Sequence, residues 1–450
     1  MIVILKKPTL VKPASDTPKR GIWVSNLDLI VPRVHIFVLH FYASCGSSNF
    51  FDFKVLEEAL SKALVPFYPA AGRLKRAADG RIEINCNGEG AMLVEASTSC
   101  VLDDLGDFAP SAELAQLIPH VDYSQDISSY PILVAQVTYF ECGGVSIGVG
   151  IHHTVVDGIS AAHFTDCWSK IARGRLDHSD IPTFVDRSLL KARDPPTPLF
   201  NHVEYQDPPV MKAPPEPHQS KTTPVVAKLT ISPEHLNLLK KSKSISNGNG
   251  VGHHEENGRH KHSSFEIVAA HVWRCLCKAR NLAQDQLTKM YIPTNGRDRL
   301  CPPLPPGYFG NVTYTASPVA AVRDVVSGSN TFAVSTIHDA LARMDDEYLR
   351  SALDYLELQP DLTQIIRRAD TFKCPNAGFV SWAKLPLYDA DFGWGKPTYV
   401  GPVKVLFEGQ AYVLPRHPDE GGLFLIISLQ QQHMESFKKC FYDVNYICEE

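Results

Sequence analysis

No run of apolar residues in this 450-residue chain approaches the ~20 that a membrane-spanning helix needs, so no membrane partner is expected. There is no excess of positive charge either. Lys and Arg number 44 against 49 Asp and Glu, the formal net charge is −5, and no basic block stands apart, which argues against a nucleic-acid partner. No secretory signal is expected: Met1-Ile2-Val3-Ile4-Leu5 is too short and meets Lys6-Lys7 in the wrong order. The 11 cysteines lack zinc-site spacing and, Cys275 and Cys277 apart, are scattered singly. An odd, unpatterned set reads as reduced thiols filling a core, which points to the cytosol. No internal repeat stands out. With 44% hydrophobic and 21% charged residues the chain is of soluble globular type, and its length suits two domains of about 200 residues each.

One junction carries the chemistry. Val145-Ser146-Ile147-Gly148-Val149-Gly150 reads as a buried strand whose glycines admit close backbone neighbours. It runs into Ile151-His152-His153-Thr154-Val155-Val156-Asp157-Gly158. Beyond Gly158, Phe164, Trp168 and Ile171 recur at helical spacing, and Arg173-Gly174 ends the helix. Two histidines and an aspartate therefore sit where a strand gives way to a helix, a place that presents side chains to a cleft.

Three readings compete there. The histidines are satisfied structural groups; or His153 and Asp157 are metal ligands; or His153 is a general base while Asp157 fixes the local backbone. The metal reading lacks a third ligand at suitable spacing nearby, so no metal is expected. A neutral imidazole takes a proton from a hydroxyl and returns it to a leaving group, as the third reading requires. Gly144-Val145-Ser146-Ile147-Gly148 matches the G-x-S-x-G pattern of serine hydrolases. That motif demands a sharp turn at the serine, whereas strand-like residues continue past Ser146.

The run His153-Thr154-Val155-Val156-Asp157, followed about 240 residues later by Asp391-Phe392-Gly393-Trp394-Gly395, resembles the HxxxD and DFGWG pair of the plant BAHD acyltransferases. The likeness extends to Ser25-Asn26-Leu27-Asp28, the 64–74 segment, Gly307-Tyr308-Phe309-Gly310-Asn311 and Thr371-Phe372-Lys373-Cys374-Pro375-Asn376. These are similar to the hydroxycinnamoyltransferase branch that includes shikimate, quinate and rosmarinate-forming enzymes.

The resemblance implies an α/β fold of two similar domains with mixed sheets, chloramphenicol acetyltransferase-like, joined by a long crossover loop. It implies acyl transfer from a CoA thioester, with small-molecule donor and acceptor as partners and no cofactor beyond that co-substrate. His153 would be the base, and Trp382 would offer its indole N–H near the reacting carbonyl or else simply pack. Asp157 would pair with Arg297 and point away from the site. Asp391 and Gly393 would be structural, shaping the CoA channel. Arg367 occupies the position that holds an acceptor carboxylate in shikimate-type enzymes, while its neighbour Arg368 reads equally as a surface charge. Ile36, Val38, His40 and Val380 stand where those enzymes carry hydroxyl-bearing residues, which leaves fewer partners for a polyhydroxylated ring. The expected acceptor is quinate or shikimate, with an aromatic hydroxy acid next and glycerol or an amine as further alternatives. A hydrolase using Ser146, or a non-catalytic binding homologue, is the reading from another class.

The expected layout is an HxxxD-bearing domain over 1–193, a Pro-rich linker over 194–224 and a DFGWG-bearing domain over 225–450, acting as a monomer. Nine prolines between 195 and 224 leave the linker stiff and extended. Residues 55–63 show a helix face, 81–85 alternate as a strand, and 133–140 with 145–151 form a hairpin. In the second half 225–231 reads as a strand, followed by Ser232 as N-cap with Pro233 at the first helical position. The 244–262 insert, with Gly248, Gly250, Gly252, His253, His254, His260 and His262, reads as a solvated disordered loop rather than a metal site. Ser263 or Ser264 then caps a helix, with Glu266 completing a capping box. Because helix N-termini hold phosphate, Ser263 and Ser264 are candidates for the CoA end. Late strands are expected at 398–407, 411–414 and 423–429.

Overall fold

The computed structural model describes residues 1–212, 223–241, 262–326 and 330–443. Two seven-stranded sheets dominate these residues, with a three-stranded sheet beside them. The first sheet runs Val3–Leu5, Ala91–Thr98, Leu133–Phe140, Val145–His152, His35–Tyr42 and Tyr399–Pro402, with Thr9–Val11 also on Ala91–Thr98. The second runs Pro224–Ile231, Leu423–Gln430, Gln410–Pro415, Ala377–Ser381, Leu287–Asn295 and Thr313–Ala316, with Val319–Ala321 also on Leu287–Asn295. Each mixes parallel and antiparallel pairs.

The expected hairpin forms, pairing Val137 with Ile147 and Leu133 with Ile151. Its second strand is buried along its whole length and is flanked on the other side by His35–Tyr42. The strand glycines have the close neighbours their type suggested: a Cβ at Gly148 would lie 2.5 Å from the Leu117 carbonyl oxygen. Helices Phe53–Ala63 and Gly158–Ala172 cover this sheet, their apolar stripes meeting through Leu56, Leu60, Phe164 and Trp168. The 81–85 segment is the strand Ile82–Asn85 of the small sheet. Ser232 accepts the His235 N–H at 3.1 Å ahead of helix Pro233–Lys241.

Two details depart from the expectations. The 398–407 strand stops at Pro402, which has no N–H to continue a ladder. It also joins the first sheet, against His35–Tyr42, although the second half of the chain encodes it. Sheet membership therefore crosses the expected boundary between halves. The Pro-rich linker is not a free spacer where it is described: His202 is buried, bonded to Glu204 and Ser351, and Asp354 holds Arg193 and Thr197. Residues 213–222 of the linker and 244–261 of the insert expected to be disordered lie outside the described residues, while His262, the last residue of that insert, is half-buried rather than solvated.

Candidate active site

A cavity of about 1320 Å³ opens between the two large sheets. Val149, Ile151, His153 and Val38 line it from the first; Thr294, Thr315, Phe379, Val380 and Trp382 line it from the second half. Such seams between packed units are favoured ligand sites.

His153 follows the Val145–His152 strand directly. Its backbone N–H donates to Val34 and its carbonyl accepts from the Asn311 amide at 2.8 Å, so the main chain is held from both sides. The ring Nδ1 lies 3.0 Å from the Val156 carbonyl oxygen. A carbonyl only accepts, so Nδ1 carries the proton and Nε2 keeps the lone pair. Burial lowers the His153 pKa, against the Val156 carbonyl and the Asp157 charge, which raise it. The ring is thereby kept neutral, as a base requires.

His152 faces the opposite way. Its ring is buried edge-on to His35 at 5.3 Å, with Nδ1 accepting from the Thr154 N–H. Burial, with His35 and His153 adding to it, takes its pKa well below the ordinary value. Of the two histidines only His153 lines the cavity. The period of two along the chain separates them: adjacent residues leaving a strand point to opposite sides.

Asp157 caps the helix Gly158–Ala172, accepting the Ser160 N–H at 3.0 Å. It also receives a two-pronged bond from Arg297, Nη1 to Oδ2 at 2.7 Å and Nη2 to Oδ1 at 2.9 Å. The Val312 N–H adds a further bond at 3.0 Å. Burial by itself would raise the Asp157 carboxyl, but the Arg297 charge and these donors hold it below the usual carboxylate range. Arg297 reaches on to Ser160 Oγ and the Gly310 carbonyl, each at 2.9 Å. The pair thus ties a first-half helix start to two segments of the second half.

A second buried network escaped the sequence reading. Asp28 pairs with Arg187 at 2.8 Å, both side chains fully enclosed, and accepts from the backbone and side chain of Asn311. Asn311 is the residue that holds the His153 carbonyl. The signal was present in Ser25-Asn26-Leu27-Asp28 and in the stretch ending at Asn311, but nothing local assigns those residues to each other. Arg187 carries no motif at all.

Arg367 lines the cavity, its guanidinium 2.6 Å from Thr315 Oγ1 and 5.3 Å from the centre of the Tyr291 ring. Arg368 is exposed and stands at the N-cap of Ala369–Phe372. Ile36, Val38, His40 and Val380 all line the cavity, as does Trp382, whose ring rests edge-on against Tyr412 at 5.5 Å. His40 is buried with Nδ1 unpartnered, and burial lowers its pKa to about 4. Ser263 and Ser264 line the cavity from the second half. Ser263 forms the expected capping box: its hydroxyl accepts the Glu266 N–H at 3.3 Å, and Glu266 Oε2 takes the Ser263 N–H at 2.6 Å.

Asp391 and Gly393 do not line the cavity. Asp391 bonds Arg173 at 2.9 Å and accepts the Gly393 and Gly395 N–H groups. Phe392 is buried edge-on against Trp168 at 5.0 Å, and Trp394 packs on Phe51. The segment clasps the end of the helix that begins at Asp157. Ser146 is fully buried within its strand, between partners Phe41 and Thr138, and is no nucleophile elbow. The hydrolase reading is withdrawn on that geometry.

Two mixed sheets with a histidine-centred cavity between them define a two-lobed acyltransferase. A family model described as the Transferase family matches residues 1–444. The chain is 54% identical to shikimate O-hydroxycinnamoyltransferase of Nicotiana tabacum, over 98% of this chain and all of that protein. Hydroxycinnamoyltransferase of Narcissus pseudonarcissus is 51% identical over 99% of this chain and all of its own length. Rosmarinate synthase of Plectranthus scutellarioides is 46% identical with the same two coverages. Among solved structures, vinorine synthase superposes with a TM-score of 0.69 over 97% of this chain and 96% of its own, at 22% identity, a likeness of fold. The chain belongs to this Transferase family, the BAHD acyltransferases, whose co-substrate is a CoA thioester. No described helix is long and apolar enough to cross a membrane.

Proposed function

We propose that the chain transfers a hydroxycinnamoyl group, p-coumaroyl or caffeoyl, from CoA to a hydroxyl of a carboxylate-bearing acceptor, with quinate or shikimate first. The observation that carries this is the sharing of one cavity by His153, with Nε2 free to take a proton, and Arg367. The 54% identity to a shikimate O-hydroxycinnamoyltransferase supports the same acceptor class. His153 removes the acceptor proton, and the oxygen adds to the thioester carbonyl. The tetrahedral intermediate holds its oxyanion against the Trp382 indole N–H. Collapse expels the CoA sulfur, which leaves with the proton from His153. The thioester is already activated, so no covalent enzyme intermediate is required.

Asp157 and Arg297 act in this reading as a brace, and Ser263 and Ser264 meet the CoA end. The Arg367 fork receives the acceptor carboxylate. A second acceptor class, an aromatic hydroxy acid, is favoured by one observation: Ile36, Val38 and Val380 give the cavity an apolar stretch beside His40. The reading includes action as a monomer and, on the cysteine pattern described above, in the cytosol; size-exclusion and fractionation test it.

An acceptor screen with p-coumaroyl-CoA and caffeoyl-CoA decides the substrate. Quinate or shikimate is expected to give the highest kcat/KM, and Arg367→Ala to lower it ~10–100-fold, the worth of a charged hydrogen bond. A preference for glycerol or an amine, unchanged by Arg367→Ala, overturns the carboxylate clamp.

A further inference from the structure

Apart from the base and its brace, a group of three metal-ligating side chains stands at the cavity wall, two of them lining it. His262 immediately precedes Ser263, the N-cap of helix Ser264–Ala279. Glu266 lies four residues on, in the first turn of that helix, and His338 comes from the separate helix Asn330–Ala342. One ligating atom from each of the three falls within 4.8 Å of the other two. His338 Nδ1 is 2.9 Å from Glu266 Oε1, and His262 Nδ1 is 3.7 Å from Glu266 Oε2. The two imidazole rings stand nearly perpendicular, 5.1 Å apart.

The plain reading is a pair of ion contacts around one carboxylate. It accounts for His338 but not for His262, whose Nδ1 is buried with no hydrogen-bond partner and too far from Glu266 to make one. Buried polar nitrogens are ordinarily satisfied. A shared cation would satisfy this one without moving either helix far.

We propose that His262, Glu266 and His338 form a binding site for a divalent transition-metal ion, Zn²⁺ foremost. Two imidazole nitrogens and a carboxylate are a zinc donor set that leaves a coordination position open. The carboxylate is already oriented from outside, because Glu266 Oε2 takes the Ser263 N–H. Ligating carboxylates are characteristically held by such partners. Glu266 and His338 both line the cavity, on the side marked by Ser263 and Ser264. An anion such as phosphate is a poorer occupant of the trio, because Glu266 repels it. The ligand set joins a helix start to a helix more than 70 residues away, so the local sequence offered only His262, as part of a His-rich tract, and not its partners.

The full-length chain, stripped with chelator, is equilibrated with ZnCl₂ and its bound zinc counted after gel filtration. One tightly held equivalent is expected. His338→Asn keeps an amide donor for Glu266 Oε1 while removing the imidazole, and it is expected to lose that equivalent, as is His262→Ala. Replacement of His253, His254 and His260 by alanine is expected to retain it. Absence of bound zinc in the wild type overturns the site. So does full uptake by both His338→Asn and His262→Ala, or loss in the triple alanine variant.

Discussion

At the scale of single residues, the two adjacent histidines make opposite predictions. His153→Ala removes the only imidazole of the pair that lines the cavity, and its kcat is expected to fall ~10²–10⁴-fold, the worth of a general base. His152→Ala leaves the cavity wall intact and is expected to cost stability rather than turnover. Steady-state rates of both variants check this; a His153→Ala enzyme within about tenfold of wild type removes the base assignment. Acid sensitivity follows from the same chemistry. Burial lowers the pKa of His35 and of His40 to about 4. Above the ordinary value of 6.5 both states are neutral and these groups do not alter stability. Below it the unfolded chain binds protons that the folded chain refuses, so stability falls as pH drops from 6.5 towards about 4. Each histidine is worth on the order of 3 kcal/mol across that window. Melting temperature against pH measures it, and His40→Gln is expected to flatten the slope.

At the scale of elements, the helix Gly158–Ala172 is gripped at both ends by groups from the second half. At its start, Asp157 meets Arg297; the carboxylate is 3% exposed and the guanidinium 11%. Removing one partner of such a pair leaves a buried charge and costs about 3–5 kcal/mol. Asp157→Asn and Arg297→Ala are therefore expected to lower the melting temperature together, and an unchanged value in both rules out the brace. At its end, Arg173 meets Asp391 beside Gly393, which has φ +109° and whose added Cβ would lie 3.0 Å from the Arg173 Cβ. Gly393→Ala combines strained backbone with that contact and is expected to destabilise by about 1–3 kcal/mol. Denaturant unfolding reads the change. These element ends were legible as caps and stops in the sequence, because capping chemistry is local. Asp157 as the cap of its helix was not separable from Asp157 as partner of Arg297, and both are the same oxygen atoms at work.

At the scale of the whole molecule, the halves are not independent. The strand Tyr399–Pro402 lies on the edge of the first sheet, paired with Phe41 through Val38. Tyr42 also donates to the Ala390 carbonyl. A fragment of residues 1–193 would therefore expose an unpaired strand edge and the apolar seat of Phe392. It is expected to aggregate when expressed alone and to be rescued by co-expression with 194–450; a monomeric, cooperatively unfolding 1–193 fragment would overturn this coupling.

Periodicity and end signals determined most of the elements: the hairpin that delivers His153, the helix after it, and the capping box at Ser263. Each depends on residues within about four positions of one another, and such forces act before the chain is folded. The two motifs, read together, also identified the family. Which histidine lines the cavity was decided by the direction in which the chain leaves the strand. Contacts that span the chain were decided only by tertiary packing: Asp28 with Arg187 and Asn311, the Tyr399–Pro402 strand in the other half's sheet, and His338 beside His262. The side chains in these contacts are ordinary for their own segments. What selects them is the cost of leaving a buried charge, carbonyl or strand edge without a partner, and that cost exists only once the two halves close on each other.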